Sequence, residues 1–368
     1  MSASLVSQVE RGVVPASAGF VAAAAGTLGV TVAELWNQPP AIYGSERQHI
    51  GELETAVMEG PDSIAHDRPL SPIDVLATAL EQVAVLQRRS RYQQASAILP
   101  ELLRQLHVAA AAAPAGCAGE RAHELLAKAY SCALYCLHRL GSPVTGQAAE
   151  RGASVAALSG DPLLAAFSQA GRAVPLLYRG SYAVADRIIN QARAAAETEE
   201  PRPSALAVRG SMHLQSAIVA ARRGDSQLAD SHLAEAADLA RHVPELGPDA
   251  DYYDTGFSAT NVGFHAVAAA VEVGDGTLAI SRGAALDIPE TVMRSRRGHH
   301  HIDTAGAWML HGNRDQALSH LQRARQLTPE QTRYHPQARE IVAAIAETDR
   351  RRTASLTNLS RWVGIATT

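Results

Sequence analysis

The sequence predicts an all-α protein built from repeated helix pairs, and three observations lead to that prediction. Hydrophobic residues make up 46% of the 368-residue chain but aromatic residues only 4%, a composition that favours closely packed helices over a β-sandwich. From Pro72 onward the apolar periodicity is helical almost throughout, and no stretch of strand length shows period-two alternation. A register of Gly, Ala and a large apolar residue also recurs along this part of the chain.

The recurring register is clearest in "GNRDQALSHLQRARQLTP", where Gly312 is followed by Ala317, Leu321 and Ala324. Three further copies, anchored at Gly180, Gly224 and Ser90, carry the same offsets with Ala185, Ile189 and Ala192, with Ala229, Leu233 and Ala236, and with Ala95, Leu99 and Leu102. Gly274 begins a poorer copy, because Gly283 stands at the large apolar position. In each copy Gly permits a tight turn, Ala permits close approach and the large residue fills the seam.

This register resembles the second half of the tetratricopeptide repeat, which the Gly312 copy matches position by position. The anchors recur roughly every 40 to 50 residues rather than the usual 34, so longer helices or looser turns are expected. The resemblance implies a tetratricopeptide-like helical-repeat solenoid over residues 73–368. Residues 41–72 are rich in turn formers, with one weak helical stretch, and are predicted to be a linker.

The N-terminal stretch "SASLVSQVERGVVPASAGFVAAAAGTLGVTVAEL" resembles the helix-turn-helix of repressor/Cro-type (XRE) regulators. The matching residues are Ser7, Gln8, Glu10, Arg11, Gly12, Pro15, Ser17, Leu28, Gly29, Val30, Glu34 and Leu35. The resemblance implies that Ser2, Ala3, Ser7 and Gln8 face DNA base edges, with Arg11 near a phosphate. It also implies that Leu5, Val9, Leu28 and Leu35 are core residues.

Residues 1–40 nevertheless match only part of that domain. The family has two helices before its recognition helix, and this sequence has no room for them ahead of Ser2. Arg11 is the only cation in residues 1–40, against Glu10 and Glu34, whereas affinity for DNA depends largely on neutralised phosphates. We therefore expect a partial helix-turn-helix with weak or no DNA binding unless the missing helices are supplied upstream.

A helix-turn-helix before an Ala- and Arg-rich repeat body is similar to a large set of actinobacterial regulators. That resemblance implies a small-molecule or peptide effector and a homodimer. With a net charge of −4, no global field draws the chain to nucleic acid. No apolar window reaches the roughly 18 residues of a membrane span, so a cytoplasmic protein without membrane partners is expected.

Two polar stretches within the helical body are candidate ligand sites. In "DYYDTGFSATNVGFH", Tyr253, Asn261 and His265 lie close together, with Asn261 and His265 on one helical face. In "RRGHHHID", Arg297, His300 and Asp303 are the candidates. The three consecutive histidines point about 100° apart, which disfavours a shared metal site. A solvated or inter-repeat polar network is the alternative to ligand binding at both stretches.

The sequence carries no P-loop, G-x-S-x-G or G-x-G-x-x-G motif, and no cofactor is predicted. Its three cysteines form no C-x-x-C pair, and Cys132 and Cys136 are expected to be buried small hydrophobes. The leading interpretation is a transcriptional regulator with a sensing solenoid. The alternatives are a stand-alone binding protein without DNA binding and, less favoured, a regulator fold recruited as an enzyme.

Overall fold

The computed structural model describes residues 3–11, 16, 18–28, 35, 45–60, 70–114, 116–244, 251–348 and 354–365. Every regular element in these ranges is a helix, as the sequence predicts, and none is a strand. None of the helices within them is both long and apolar enough to cross a membrane.

The helices of the described ranges occur in the following order along the chain. Before the first repeat lie α1 (Ala3–Glu10), α2 (Ala18–Leu28) and α3 (Ser45–Glu59). The body then runs through α4 (Ile73–Arg88), α5 (Tyr92–Ala112), α6 (Cys117–Arg139), α7 (Thr145–Ala156), α8 (Pro162–Gly171), α9 (Ala173–Leu177), α10 (Tyr182–Glu197), α11 (Pro203–Arg222) and α12 (Ser226–Ala240). It continues with α13 (Ala259–Val273), α14 (Gly276–Ala284), α15 (Arg294–Leu310), α16 (Arg314–Leu327), α17 (Pro329–Tyr334), α18 (Pro336–Thr348) and α19 (Ala354–Val363).

Consecutive helices pack against each other, and helices two apart also touch, as in α11 with α13 and α13 with α15. This sequential packing makes the body a helical array. The turns between paired helices sit at the predicted anchors, where Gly180, Gly224 and Gly312 have φ of 69°, 80° and 84°. Ser90, which stands in the glycine position of its copy, also has a positive φ, of 57°.

The recurring Ala and large apolar positions lie on the second helix of each pair, and they are all buried. Ala185 and Ile189 of α10 are fully buried, as are Ala317 and Leu321 of α16. In the poorer copy, the space at Gly283 is taken by its neighbours, since the ring of His300 lies 3.9 Å from where a Cβ would stand. The register therefore does specify the seam between helices.

A second repeat signal is a histidine pair that bridges the two helices of a unit. His213 of α11 and His232 of α12 have their Nδ1 atoms 3.1 Å apart. His301 of α15 and His320 of α16 show the same Nδ1–Nδ1 distance, 3.1 Å. The two histidines of each pair are equally far apart in sequence, and the second pair follows the first at the same distance in sequence as Gly312 follows Gly224. The α11–α12 and α15–α16 units are thus matched copies.

The array closes on itself through α17. The Gln331 Oε1 accepts hydrogen bonds from Ser90 Oγ and from Tyr92 Oη, both at 3.2 Å. The Gln93 N–H donates to Glu330 Oε2 at 2.9 Å. Tyr334 packs within the same apolar cluster as α4, α5 and α6. The end of the array therefore joins its beginning.

Part of the predicted linker is folded into the body. Helix α3, within residues 41–72, buries Ile50, Leu53 and Val57 in the cluster formed with α5 and α6. Its Glu59 binds Arg104 of α5, with Nε and Oε2 2.7 Å apart. The apolar stripe on α3 explains this docking, because its burial removes hydrophobic surface from water.

The N-terminal helices provide a correction to the expected core of the helix-turn-helix. Leu28 is 64% exposed and Leu35 37% exposed, while Val9 is half-buried. Helix α2 instead buries Val21 and packs on α11. The apolar face that the resemblance assigns to a helix-turn-helix core therefore has little cover, because the described residues contain no further helix against it.

Replacing Ala317 by Leu tests the helix seam. The fully buried Ala317 leaves no room for a larger side chain, so we expect the free energy of unfolding to fall by roughly 1 to 3 kcal/mol. Gln316→Leu, at the exposed neighbouring position, is the control and should be nearly neutral. Urea unfolding of both variants measures the difference, and equal effects would show that Ala317 is not at a packed crossing.

Candidate functional site

The closed array contains a cavity of about 230 Å3, and its wall is built from the first helix of successive pairs. Helix α13 contributes Asn261, Phe264, His265, Ala268 and Glu272. These positions recur at intervals of three and four residues, so they form one stripe along the helix. The same face of α13 therefore lines the cavity from one end of the helix to the other.

Helix α15 presents a matching stripe of Arg296, His299, His300 and Asp303. The imidazole of His300 stacks on the ring of Phe264, with centroids 4.5 Å apart. The three consecutive histidines point to different neighbours, because His301 turns away to meet His320. The predicted divergence of these side chains is confirmed.

Three other helices, α6, α11 and α18, complete the polar wall, and α18 contributes Gln337 and Glu340. Helix α6 contributes Tyr135, His138 and Arg139, and helix α11 contributes Gln215 and Arg222. The apolar part of the wall includes side chains from α2, α8, α9 and α11, namely Val21, Phe167, Val174, Leu177, Leu214 and Ile218. The cavity thus combines an apolar side with a dense set of polar groups, as small-molecule sites commonly do.

His299 links the cavity to Gln331, the residue through which the end of the array joins its beginning. Its Nδ1 lies 3.0 Å from Gln331 Nε2 and 3.3 Å from Arg139 Nη1, both of which are hydrogen-bond donors. Nδ1 must therefore accept, which places the proton of the neutral ring on Nε2. That nitrogen lies 3.8 Å from Asp303 Oδ2. Burial and then the positive charge of Arg139 hold the pKa of His299 well below its usual value.

Arg222 and Glu272 form an ion pair at the wall of the cavity. Glu272 Oε1 accepts from Arg222 Nε at 3.0 Å and from Nη2 at 2.9 Å. The guanidinium also lies over the ring of Tyr178, 5.4 Å from its centroid. The two charges compensate each other, and the pair fixes α11 against α13.

Five polar atoms of the cavity-lining residues have no hydrogen-bond partner. They are Gln215 Oε1, Asn261 Oδ1, Glu272 Oε2, His300 Nδ1 and His335 Nδ1. Asn261 is only 2% exposed, so its free carbonyl oxygen is poorly hydrated. Because buried polar groups are normally paired, the grouping of these unpaired atoms in residues that line one cavity is unusual.

The titratable groups of the cavity favour their neutral forms. Burial lowers the pKa of His265 and His300 to about 4 and that of His335 to about 3. Burial likewise raises the pKa of Asp303 well above its usual value and that of Glu340 to about 8. Near neutral pH the histidines are therefore uncharged and the Glu340 carboxyl is largely protonated.

The structure brings four of the predicted ligand residues together and separates two. Asn261, His265, His300 and Asp303 line the cavity. Tyr253 lies elsewhere, with its hydroxyl donating to Asp161 Oδ2 at 2.8 Å. Arg297 also lies outside the cavity wall, and its Nη1 approaches the Glu290 carbonyl at 3.4 Å. Arg296, its neighbour in sequence, faces the cavity instead.

The residues that sequence reasoning missed are those on α6 and α11, above all Arg139, Arg222 and Gln215. A usable signal was present, since polar residues recur at three- and four-residue spacing within otherwise apolar helices. The spacing does not reveal that α6 and α11 face α13 and α15.

The predicted DNA contacts lie on or next to α1. Ser7 and Arg11 are exposed and Gln8 is half-buried, with Arg11 Nε donating to the Ser7 carbonyl at 3.0 Å. Ser2 lies outside the described residues, and Ala3 begins the helix. Arg11 is thus turned back along its own helix.

Comparisons with protein-family models, with curated proteins and with solved structures found no match for this chain. Within the described ranges, no three or more His, Cys, Asp or Glu side chains are grouped so as to hold a metal ion.

Replacing Glu340 by Gln tests the buried carboxyl of the cavity. Because burial raises its pKa in the folded protein above the value of 4.5 expected when unfolded, the folded state binds more protons, and wild-type stability falls as pH rises from about 4.5 to about 8. A glutamine does not ionise, so the Glu340→Gln variant does not lose stability in this way as the pH rises. We expect the substitution to raise the free energy of unfolding relative to wild type by on the order of 3 kcal/mol more at pH 8 than at pH 5.

Thermal or urea unfolding at both pH values measures this change. Glu347→Gln, at an exposed position of the same helix, is the matched control and should show little pH-dependent difference. An effect of Glu340→Gln that is the same at pH 5 and pH 8 would contradict the assignment of a buried neutral carboxyl.

Proposed function

We propose that the protein is a ligand-responsive regulator of the repressor/Cro type, whose tetratricopeptide-like solenoid holds a small-molecule effector in the central cavity. The observation that supports this proposal most is the set of unpaired polar atoms in the cavity wall, contributed by three successive repeat units and by His335. Four of the wall residues are those for which the sequence predicts ligand contact. The homodimer implied by the resemblance belongs to the same proposal.

The size of the cavity favours a small molecule over a peptide. Its volume of about 230 Å3 suits a single compact organic molecule, and its combination of apolar surface with polar groups is that of a small-molecule site.

Contacts of the N-terminal segment support a link between the cavity and the helix-turn-helix. Val21 of α2 belongs to the cavity wall. The Gly19 carbonyl accepts from Tyr182 Oη at 3.4 Å, and the Ala16 N–H donates to the Glu340 carboxyl. Helix α2 therefore touches α10, and Ala16, which precedes α2, touches α18.

Hydroxyl groups in the cavity support binding rather than covalent catalysis. Ser211 Oγ donates to the Val208 carbonyl at 2.7 Å, and Thr255 Oγ1 donates to Asp251 Oδ1 at 3.2 Å. Neither hydroxyl is bonded to a histidine that could activate it as a nucleophile. A stand-alone binding protein is the second candidate, favoured by the exposed Leu28 and Leu35 of the N-terminal segment.

A neutral fluorescent dye tests whether the cavity is a ligand site. N-phenyl-1-naphthylamine fluoresces strongly in apolar surroundings, and we expect it to bind the wild-type chain at one site. Ala268→Trp places a large ring in the cavity and should abolish that binding. Ala234→Trp, on the exposed face of α12, should leave it unchanged.

Fluorescence titration with all three proteins separates the outcomes. Binding that persists in Ala268→Trp, or an absence of saturable binding to the wild-type protein, would contradict the cavity as a ligand site. Circular dichroism of both Trp variants confirms that each has the helical content of the wild-type chain.

DNA binding by this chain is expected to be weak, because Arg11 is the only cation in residues 1–40. Gel shifts on the promoter of its own gene, at two salt concentrations, measure the affinity. We expect weak binding that falls further at the higher salt concentration. Tight, sequence-specific binding by the present chain would favour a different DNA-binding surface.

A further inference from the structure

Two arginines in the cavity wall lack a carboxylate partner. Arg222 is paired with Glu272, but neither Arg139 nor Arg296 forms an ion pair within the part of the chain that the structure describes. Arg139 instead approaches the neutral ring of His299. Arg296 donates from Nη2 to the Thr255 carbonyl at 2.9 Å. Within that part of the chain, both guanidinium groups therefore keep donors that form no ion pair with a carboxylate.

The two guanidinium groups lie on the same side of the cavity. Arg139 contacts His299, and Arg296 stands one helical turn before His299 on the same stripe of α15. Gly256, with φ of 65°, lies directly against the Arg296 guanidinium, and a Cβ there would come within 2.7 Å of Nε. After burial, the positive charge of Arg139 is among the causes that lower the pKa of Arg296, as expected for neighbouring like charges.

Charges elsewhere in the cavity wall do not neutralise this pair. Arg222 and Glu272 cancel each other. Asp303 and Glu340 are the remaining carboxyls of the wall; burial raises the pKa of both, and neither forms an ion pair with Arg139 or Arg296 in the described part of the chain. Asp251, outside the wall, also acts on Arg296, and burial raises its pKa to about 7. The wall therefore holds two guanidinium groups without an ion-pair partner, although the chain as a whole has a net charge of −4.

We infer that the ligand is a small organic anion whose carboxylate, phosphate or sulfonate group is held between Arg139 and Arg296. This inference rests on the proposed function of the cavity as an effector site. An anion between two guanidinium groups forms charge-assisted hydrogen bonds, which are the strongest of the polar contacts available here.

The other residues of the cavity wall indicate the chemistry of the rest of the ligand. Phe264, Leu214 and Ile218 provide apolar surface for a hydrocarbon or aromatic body. Asn261 Oδ1 and Gln215 Oε1 are free acceptors, and the ligand satisfies them with hydroxyl or amino donors. The expected class is thus an organic acid that also carries a hydrogen-bond donor.

A matched pair of dyes separates the anionic group from the rest of the molecule. 1-Anilinonaphthalene-8-sulfonate is N-phenyl-1-naphthylamine with one added sulfonate. We expect the wild-type protein to bind the sulfonate about tenfold or more tightly than the neutral dye. Arg139→Gln and Arg296→Gln should each remove most of that preference and leave the affinity for the neutral dye nearly unchanged.

Arg282→Gln is the matched control, because Arg282 pairs with Asp230 outside the cavity wall. It should retain the preference for the sulfonate. If the neutral dye binds in the cavity and the sulfonate binds no better, the anionic ligand is ruled out while the proposed function stands. If neither dye binds, the proposed function fails and the inference fails with it.

An experiment on the unmodified chain guards against variants that fail to fold. Crystals soaked in iodide should show an anomalous peak in contact with the guanidinium groups of both Arg139 and Arg296. Iodide bound at surface arginines but absent between these two would overturn the inference.

Discussion

The cavity depends on one side-chain amide, that of Gln331. Its oxygen accepts from Ser90 and Tyr92 at the start of the array, and its nitrogen faces His299 at the cavity wall. Gln331 is only 1% exposed, so losing any of these bonds would leave a buried polar group unpaired. The amide thereby holds the end of the array against its beginning. An open array would expose the same inner helices to water, and their histidines would lose the burial that keeps them neutral.

The fold was predictable because its signals are local. A Gly or Ser at the turn, Ala at the crossing and a large residue in the seam all fall within a single helix pair, where spacing alone determines contact. The positive φ of Ser90 shows how strongly the turn is specified, since a residue other than Gly adopts it there. The docking of α3 was harder to predict from the sequence, because a short apolar stripe among turn residues does not show which surface it packs against.

The candidate site was predictable only in part, for a geometric reason. Asn261, His265, His300 and Asp303 share helical faces that periodicity reveals, and the structure places all four in the cavity wall. The predicted Arg297 is the neighbour of Arg296, which lines the cavity. Successive residues of a helix point about 100° apart, so a one-residue difference moves the side chain out of the wall. Spacing reveals a polar stripe on α6, but the position of that stripe in the cavity wall depends on contacts across the closed array, between residues far apart in sequence.

The position of Val21 has a thermodynamic consequence. Since Val21 forms part of the cavity wall, a molecule that contacts it binds more tightly when α2 is docked than when α2 is detached. By thermodynamic linkage, the bound molecule shifts the equilibrium of α2 toward its docked position by the same factor. The N-terminal segment and the cavity are then two sites with one coupling free energy. The coupling free energy is the difference between the ligand's binding free energy for the chain with α2 and that for the chain without it.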